Sequence, residues 1–320
     1  METIKPHALQ RGDTIGVVVP AGPVDRPRID KALERLHVRG FRTKIYGDLY
    51  RASGYLSGDD ATRASELIAA FEDPDTTAVW CARGGYGVVR ILDHVEFEVI
   101  RRHPKVFIGF SDITALHLAI QQRAGLVTFH GPNLQDGFGA AEEMSPTTEA
   151  ALWQAVLADE PSSRDAGQPW SPSGDQIDDV KAIAPGSATG RLTGGNLSVL
   201  CGLIGTPYEI DSSGRILFLE DVDEPPYRVD RYMAQLRLAG KLDAAAGILL
   251  GSFTDDCDRA NHDSAIRDVL AEYCVNLSVP VLAGWPSGHR RENWTLPMGA
   301  LMEIDTTRKQ ARVREDPCRS

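Results

Sequence analysis

Apolar residues in the first half of the chain fall into short continuous runs separated by stretches with helical spacing. TIGVVVP (14–20) has no polar face and reads as a buried strand. Asp25 to Arg39 follows, with Ile29, Leu33 and Leu36 on one helical face. FRTKIY (41–46) is a second strand, and Asp59 or Asp60 can cap a helix running through Leu67, Ile68 and Phe71. TAVWCA (77–82) and KVFIGF (105–110) are further strands, each followed by a helical pattern. Strands alternating with helices imply a parallel sheet covered on both faces, whose ligands gather at the carboxyl ends of the strands.

The pattern breaks near 159–189. DEPSSRDAGQPWSPSGDQ is rich in Ser, Pro, Gly and Asp without periodicity, which predicts a linker or surface loop. Beyond it, LTGGNLSVLCGLIG reads as helical, RILFLED as a strand, Tyr227–Leu238 as a helix and GILLGSF as a strand. His262–Tyr273 is a further helix, and the stretch around 279–313 is rich in β signals. The expected division is an N-terminal α/β domain over 1–158, the linker over 159–189, and a C-terminal β-rich α/β domain over 190–320. No internal repeat or low-complexity tract is present.

Composition narrows the function. The chain is 42% hydrophobic and 25% charged, as soluble globular proteins are, and its net charge of −11 argues against a nucleic-acid partner. No run of 18 apolar residues predicts a membrane span, and METIKPHALQRGD lacks the apolar core of a signal peptide. Five cysteines without CxxC spacing fit a reducing compartment better than a disulfide framework or zinc site, so a cytoplasmic protein is expected.

Four places carry candidate chemistry. In Gly109-Phe110-Ser111-Asp112, an apolar strand ends where a helical pattern begins, placing Ser111 on a sharp turn with backbone N–H groups at a helix start. The logic is that of a nucleophile elbow lacking its second glycine; the alternative is that Ser111 caps the helix. Arg83-Gly84-Gly85-Tyr86-Gly87 follows another strand and serves either as a plain tight turn or as a ligand-approach loop. Glu220 ends a strand in a cluster with Asp221, Asp223 and Glu224. A carboxylate there can orient a histidine; a divalent-cation site or helix capping by Asp223 or Glu224 are the alternatives. His289 stands in the turn-rich GWPSGHRRENW, where a base can be presented or simply solvated. His37 and His117 lie in helical patterns, as structural or surface groups, whereas His130 can line a site. The order Ser, Glu, His matches one known arrangement of a hydrolytic triad.

These segments resemble the LD-carboxypeptidase family, whose relatives include the microcin-C immunity peptidases. GDTIGVVVPAGPVD, GYLSGDDATRASELIAAF, ARGGYGVVRIL, IGFSDITALHLAI, LVTFHGPN, LTGGNLSVLCGLIGTPYEID, LFLEDVDEPPYRVDRYMAQL and SGHRRENWTLPMGA carry the resemblance, in order, from about residue 10 to about 305. It implies a Rossmann-like N-terminal parallel-sheet domain, a C-terminal domain, an active site at their interface and a homodimer. Ser111, Glu220 and His289 take the places of the family's catalytic triad, and the N–H groups of Asp112 and Gly85 those of its oxyanion donors. The implied reaction releases terminal D-alanine from a murein tetrapeptide, without metal or cofactor. The immunity branch instead cuts a peptidyl-nucleotide amide. A substrate carboxylate requires a cation, for which Arg83, Arg228, Arg290 and Arg291 are candidates. Two other classes compete: a metal hydrolase built on the 220–224 acids, which lacks a histidine pair such as H-E-x-x-H, and a non-catalytic peptide-binding protein.

Overall fold

The computed structural model describes residues 2–158, 179–254 and 262–319. The chain divides into two compact units, one of residues 1–161, 295–299 and 317–320, the other of 162–294 and 300–316.

The first unit alternates strands and helices: β1 (Thr14–Val18), α1 (Arg26–Val38), β2 (Arg42–Ile45), α2 (Asp60–Glu72) and β3 (Ala78–Cys81). It continues with α3 (Val88–Ile91), α4 (Phe97–Arg102), β4 (Val106–Gly109), α5 (Thr114–Arg123), β5 (Thr128–His130) and α6 (Pro146–Val156). Local chemistry sets the helix starts. The Asp25 side chain accepts from Arg28 N–H, with a proline in the first turn of α1, and Asp59, rather than Asp60, accepts from Thr62 N–H to cap α2. The central strands β3 and β4 are buried at every residue, as expected of parallel strands covered on both faces. Only β2, at the sheet edge, exposes its Arg and Lys, which discourages pairing with another chain. Trp80, Phe138 and Trp153 pack together on one side of this sheet.

The second unit contains β6 (Lys181–Ala184), β7 (Ser187–Asn196), α7 (Leu197–Gly202), β8 (Ile216–Val222), α8 (Pro226–Leu238), α9 (Lys241–Ala244) and β9 (Gly247–Thr254). It goes on through α10 (His262–Cys274) and β10 (Val281–Ala283). After β11 (Leu296–Met298), which belongs to the first unit, come β12 (Leu301–Asp305) and β13 (Gln310–Val313). The six-stranded sheet of the first unit runs β11-β5-β4-β3-β1-β2, parallel except for β11; the seven-stranded sheet of the second runs β13-β12-β7-β8-β9-β10-β6. In the latter β7 to β10 are parallel, β6 pairs antiparallel with β10, β12 with β7, and β13 with β12. Among the described residues no helix is long and apolar enough to cross a membrane.

Three expectations need adjustment. LTGGN is strand, not helix: Gly194 and Gly195 sit at φ 121° and 136°, and a Cβ on Gly194 would lie 1.9 Å from Phe218 O on β8. The helix begins only where Asn196 caps it by accepting from Val199 N–H. The stretch expected as linker over 159–189 includes β6 and the start of β7; its part up to residue 178 lies outside the described residues, as does Cys257. The C-terminal stretch is also not confined to one unit, because Leu296–Met298 adds an antiparallel strand beside β5. Hydrophobic periodicity reports which residues are buried, not which sheet buries them.

Candidate active site

Ser111 stands where β4 gives way to α5. Phe110 is extended, and Ser111, at φ 66°, opens the three-residue 3-10 turn Ser111–Ile113 that leads into the helix. A left-handed conformation costs a non-glycine residue about 1–2 kcal/mol, so its surroundings must enforce it. They do so through the backbone on either side. Gly109 O accepts from Gly131 N–H at 3.1 Å and lies 2.8 Å from His117 Nε2. Phe110 N–H donates to Asn133 Oδ1 at 3.2 Å, and Phe110 O accepts from Ile113 N–H at 3.3 Å. Burial pushes the His117 pKa down to about 4, keeping the ring neutral. Its Nε2–H then donates to Gly109 O, leaving Nδ1 to accept from Thr128 Oγ1 at 2.8 Å. Ser111 makes no capping bond and is partly exposed, so helix capping does not account for it.

The glycine turn after β3 lies against this serine. A Cβ on Gly84 would come within 2.9 Å of Ser111 Cβ and 3.2 Å of Ser111 Oγ, so only glycine allows the approach. Gly84 O accepts from Gly22 N–H at 3.0 Å, and Gly85 follows at φ 103°. The Gly85 N–H has no hydrogen-bond partner among the described residues. Asp112, next to the serine, is buried, and its Oδ2 accepts from Val88 N–H at 2.8 Å. Burial raises its pKa to about 6, against the opposing effects of that bond and of the Arg63 charge.

In the second unit, Glu220 is fully buried on β8 and its Oε2 lies 2.6 Å from His289 Nδ1. A carboxylate only accepts, so Nδ1 carries the proton and Nε2 is left as the basic nitrogen. Glu220 Oε1 has no hydrogen-bond partner among the described residues. Opposite Glu220 the pairing of β8 with β9 slips: Leu219 faces Leu250, whereas Asp221 faces Phe253. The extra residue is a bulge, the device that re-aims side chains at sheet ends. The histidine loop is held tightly. Gly288 N–H donates to Asn293 Oδ1 at 3.0 Å, Ser252 N–H to Ser287 O at 2.9 Å, and Trp294 N–H to Pro286 O at 2.7 Å. Gly288 sits at φ 119°, and a Cβ there would lie 2.4 Å from Ser252 Oγ and 2.8 Å from Glu220 Oε2.

The neighbouring acids are committed elsewhere. Asp221 accepts from Asn196 Nδ2, Ser198 N–H and Val222 N–H, all at 2.9 Å. Burial, followed by the Glu220 charge, raises its pKa to about 7. Glu224 pairs with Arg228 at 3.1 Å, and neither Asp223 nor Glu224 caps α8, whose cap position is Pro225. No group of three or more His, Cys, Asp or Glu able to hold a metal occurs among the described residues. Of the candidate cations, Arg228 is thus already paired, and Arg290 and Arg291 are exposed beside His289. Arg83 is half-buried at the glycine turn, donates to Pro23 O, and has no carboxylate partner among the described residues. His117, expected as a structural or surface group, is structural: it is buried and helps to fix the serine turn. Sequence reasoning passed over Asn133, which also fixes that turn, and Asn293, which fixes the histidine loop; their one signal is polarity inside otherwise apolar or turn-forming runs.

The profile of the LD-carboxypeptidase N-terminal domain matches residues 15–131, and that of the C-terminal domain residues 189–304. A probable murein peptide carboxypeptidase of Bacillus subtilis is 40% identical over 309 residues, covering 96% of this chain and 93% of the relative. Among solved structures, the wild-type apo microcin C7 self-immunity protein MccF superposes with a TM-score of 0.88 at 25% identity, over 99% of this chain and all of the other. Muramoyltetrapeptide carboxypeptidase from Oxalobacter formigenes gives 0.77 at 28% identity, over 94% and 97%. With both family domains matched in order and near-complete coverage of the Bacillus relative, this chain belongs to the LD-carboxypeptidase family.

Proposed function

We propose that the protein is a serine carboxypeptidase that releases terminal D-alanine from murein tetrapeptide. Ser111 is its nucleophile, His289 its general base and acid, and Glu220 the residue that orients His289. The observation that carries this reading is the left-handed Ser111 at the end of a buried parallel strand. A left-handed non-glycine residue is strained, and this one places its hydroxyl at the sheet end where ligands gather.

In this mechanism Ser111 Oγ attacks the carbonyl carbon of the scissile amide while His289 Nε2 takes its proton. Glu220 holds Nδ1–H and stabilises the imidazolium. The N–H groups of Gly85 and Asp112 receive the developing oxyanion; such donors are worth ~3–4 kcal/mol each in other hydrolases. His289 then protonates the departing amine, D-alanine leaves, and water, deprotonated by the same imidazole, cleaves the acyl-enzyme and restores Ser111. Arg83 pairs with the substrate's terminal carboxylate, since its charge is not already committed to an acid. A cytoplasmic location belongs to this reading, since the buried free thiols Cys81, Cys201, Cys274 and Cys318 fit a reducing compartment. A homodimeric state belongs to the same reading and is measurable by sedimentation.

The test is mass spectrometry of products from murein tetrapeptide in ¹⁸O-water. D-alanine and a tripeptide carrying one new ¹⁸O are expected with wild type, and neither with Ser111→Ala. Full activity of a pure S111A preparation removes the assignment. The likeness to the MccF structures favours one second reading, a peptidyl-nucleotide amidase. A peptidyl-nucleotide cleaved faster than the tetrapeptide in the same assay would establish it instead. With Arg83→Ala, hydrolysis of the free acid should fall more than that of its C-terminal amide; equal losses mean that another cation reads the carboxylate.

A further inference from the structure

The glycine turn beside Ser111 contains Gly84, Gly85 and Gly87, so its backbone has little intrinsic preference for one shape. One of its peptide groups is gripped at both ends. The Gly87 carbonyl accepts from Arg63 Nη1 at 2.9 Å, and the N–H of the same peptide, on Val88, donates to Asp112 Oδ2 at 2.8 Å. Arg63 lies on α2 with its side chain completely buried. Its remaining donors go to Pro20 O, beyond β1, to Gly58 O at 3.2 Å, and to Asp60. A guanidinium in this position thus ties three loops to one point. Gly87 has to be glycine for the grip to close: its φ is 124°, and a Cβ would stand 3.0 Å from Arg63 Nη1 and 2.5 Å from a Leu56 methyl.

We propose that Arg63 and the Asp112 carboxylate are positioning residues that clamp the Gly87–Val88 peptide and so preorganise the Gly84–Gly85 backbone against Ser111. The inference rests on the Ser111 reading and deepens it. Burying a guanidinium is costly unless its donors find acceptors, and here three of the four hydrogen bonds go to the backbone carbonyls of Gly87, Pro20 and Gly58, while the fourth goes to the Asp60 carboxylate. Oxyanion donors accelerate a reaction only if they need no rearrangement as charge develops. A turn of three glycines held on one side by Gly22 and on the other by this clamp meets that condition.

The test compares wild type with Arg63→Lys, Asp112→Ala and Asp112→Asn in the full-length protein. Active sites are counted by labelling Ser111 with a fluorophosphonate, so that poor folding is corrected for. Three quantities are read: kcat per labelled site, KM for murein tetrapeptide, and inhibition by a phosphonate with tetrahedral phosphorus at the scissile carbonyl. In R63K and D112A, kcat should fall about tenfold or more while KM changes by less than about threefold, and phosphonate inhibition should weaken in step with kcat/KM. D112N keeps an amide oxygen able to accept from Val88 N–H and should regain part of what D112A loses. A lowered thermal midpoint with unchanged kcat per site and unchanged phosphonate affinity overturns the clamp and leaves the Ser111 reading standing. If wild-type Ser111 takes no label, the functional reading itself falls. If R63K does not fold, the pair D112A and D112N decides the matter.

Discussion

Asp112 follows Ser111 at the end of β4, and its buried carboxylate accepts the N–H that opens the helix after the neighbouring strand β3. Asp221 follows Glu220 on β8, and its buried carboxylate accepts the Ser198 N–H at the start of the helix after the neighbouring strand β7. The two ends share a device and differ in what it supports. In the first unit the chemical group is set by backbone geometry, since Ser111 sits at φ 66° and its hydroxyl makes no capping bond. In the second, Glu220 lies within a strand, and a side-chain bond to His289 does the positioning, with the positive-φ position of the histidine loop taken by Gly288, which accepts it without strain. The difference fits the proposed roles: a nucleophile must be presented and left unencumbered, and an orienting acid must be bound to what it orients.

The largest effect expected at either end is on activity. Ser111→Ala should lower kcat on the order of a millionfold while the turn persists, because the turn is held by Phe110, Gly109 and their partners. Circular dichroism showing a lost fold in S111A would mean that the side chain helps to build the turn. Glu220→Gln should cost roughly ten-thousandfold in kcat, in line with loss of the orienting acid in other triads. A mild E220Q together with a crippling Asp221→Asn would show that the wrong carboxylate has been assigned.

The paired aspartates give the next effect. Both carboxyls bind protons more tightly folded than unfolded, so the cost of burying their charge is present above the folded pKa and relieved as pH falls. For Asp221 the window runs from about 7 down to 3.8, for Asp112 from about 6 to 3.8. Relative to D221N, wild type should therefore gain about 1.4 kcal/mol of unfolding free energy per pH unit as pH falls through the first window. Relative to D112N it should gain only below about pH 6. Urea titrations at pH 8, 6.5 and 5 measure both; identical profiles would remove the distinction between the two sites.

Gly288→Ala should destabilise by about 1–3 kcal/mol and impair activity, because the new methyl strikes Ser252 and Glu220. An unchanged melting temperature would show that the histidine loop has room to yield. The smallest effect is at the serine itself: Ser111→Gly should be more stable than S111A by about 1 kcal/mol, since glycine accepts the left-handed conformation freely. Equal stability would argue that Ser111 bears no strain.

Much of this was legible along the chain. Continuous apolar runs disclose β1, β3 and β4, the Asp59-Asp60 pair marks the start of α2, and Ser111 and His289 stand at a strand end and in a turn, whereas Glu220, expected at a strand end, lies two residues inside β8. Such features are local, because periodicity, capping and turn chemistry act over a few residues. The LTGGN segment went wrong because its helical spacing was outweighed by glycines that β8 requires for close approach. The attachment of Leu296–Met298 beside β5, the His289–Glu220 bond spanning 69 residues of sequence, and the grip of Arg63 and Asp112 on one peptide group were decided by tertiary structure alone. Composition and spacing determine which residues seek burial or a hydrogen-bond partner; which partner each one finds depends on what the folded sheets bring within about 3 Å, and that distance is not written in the order of residues.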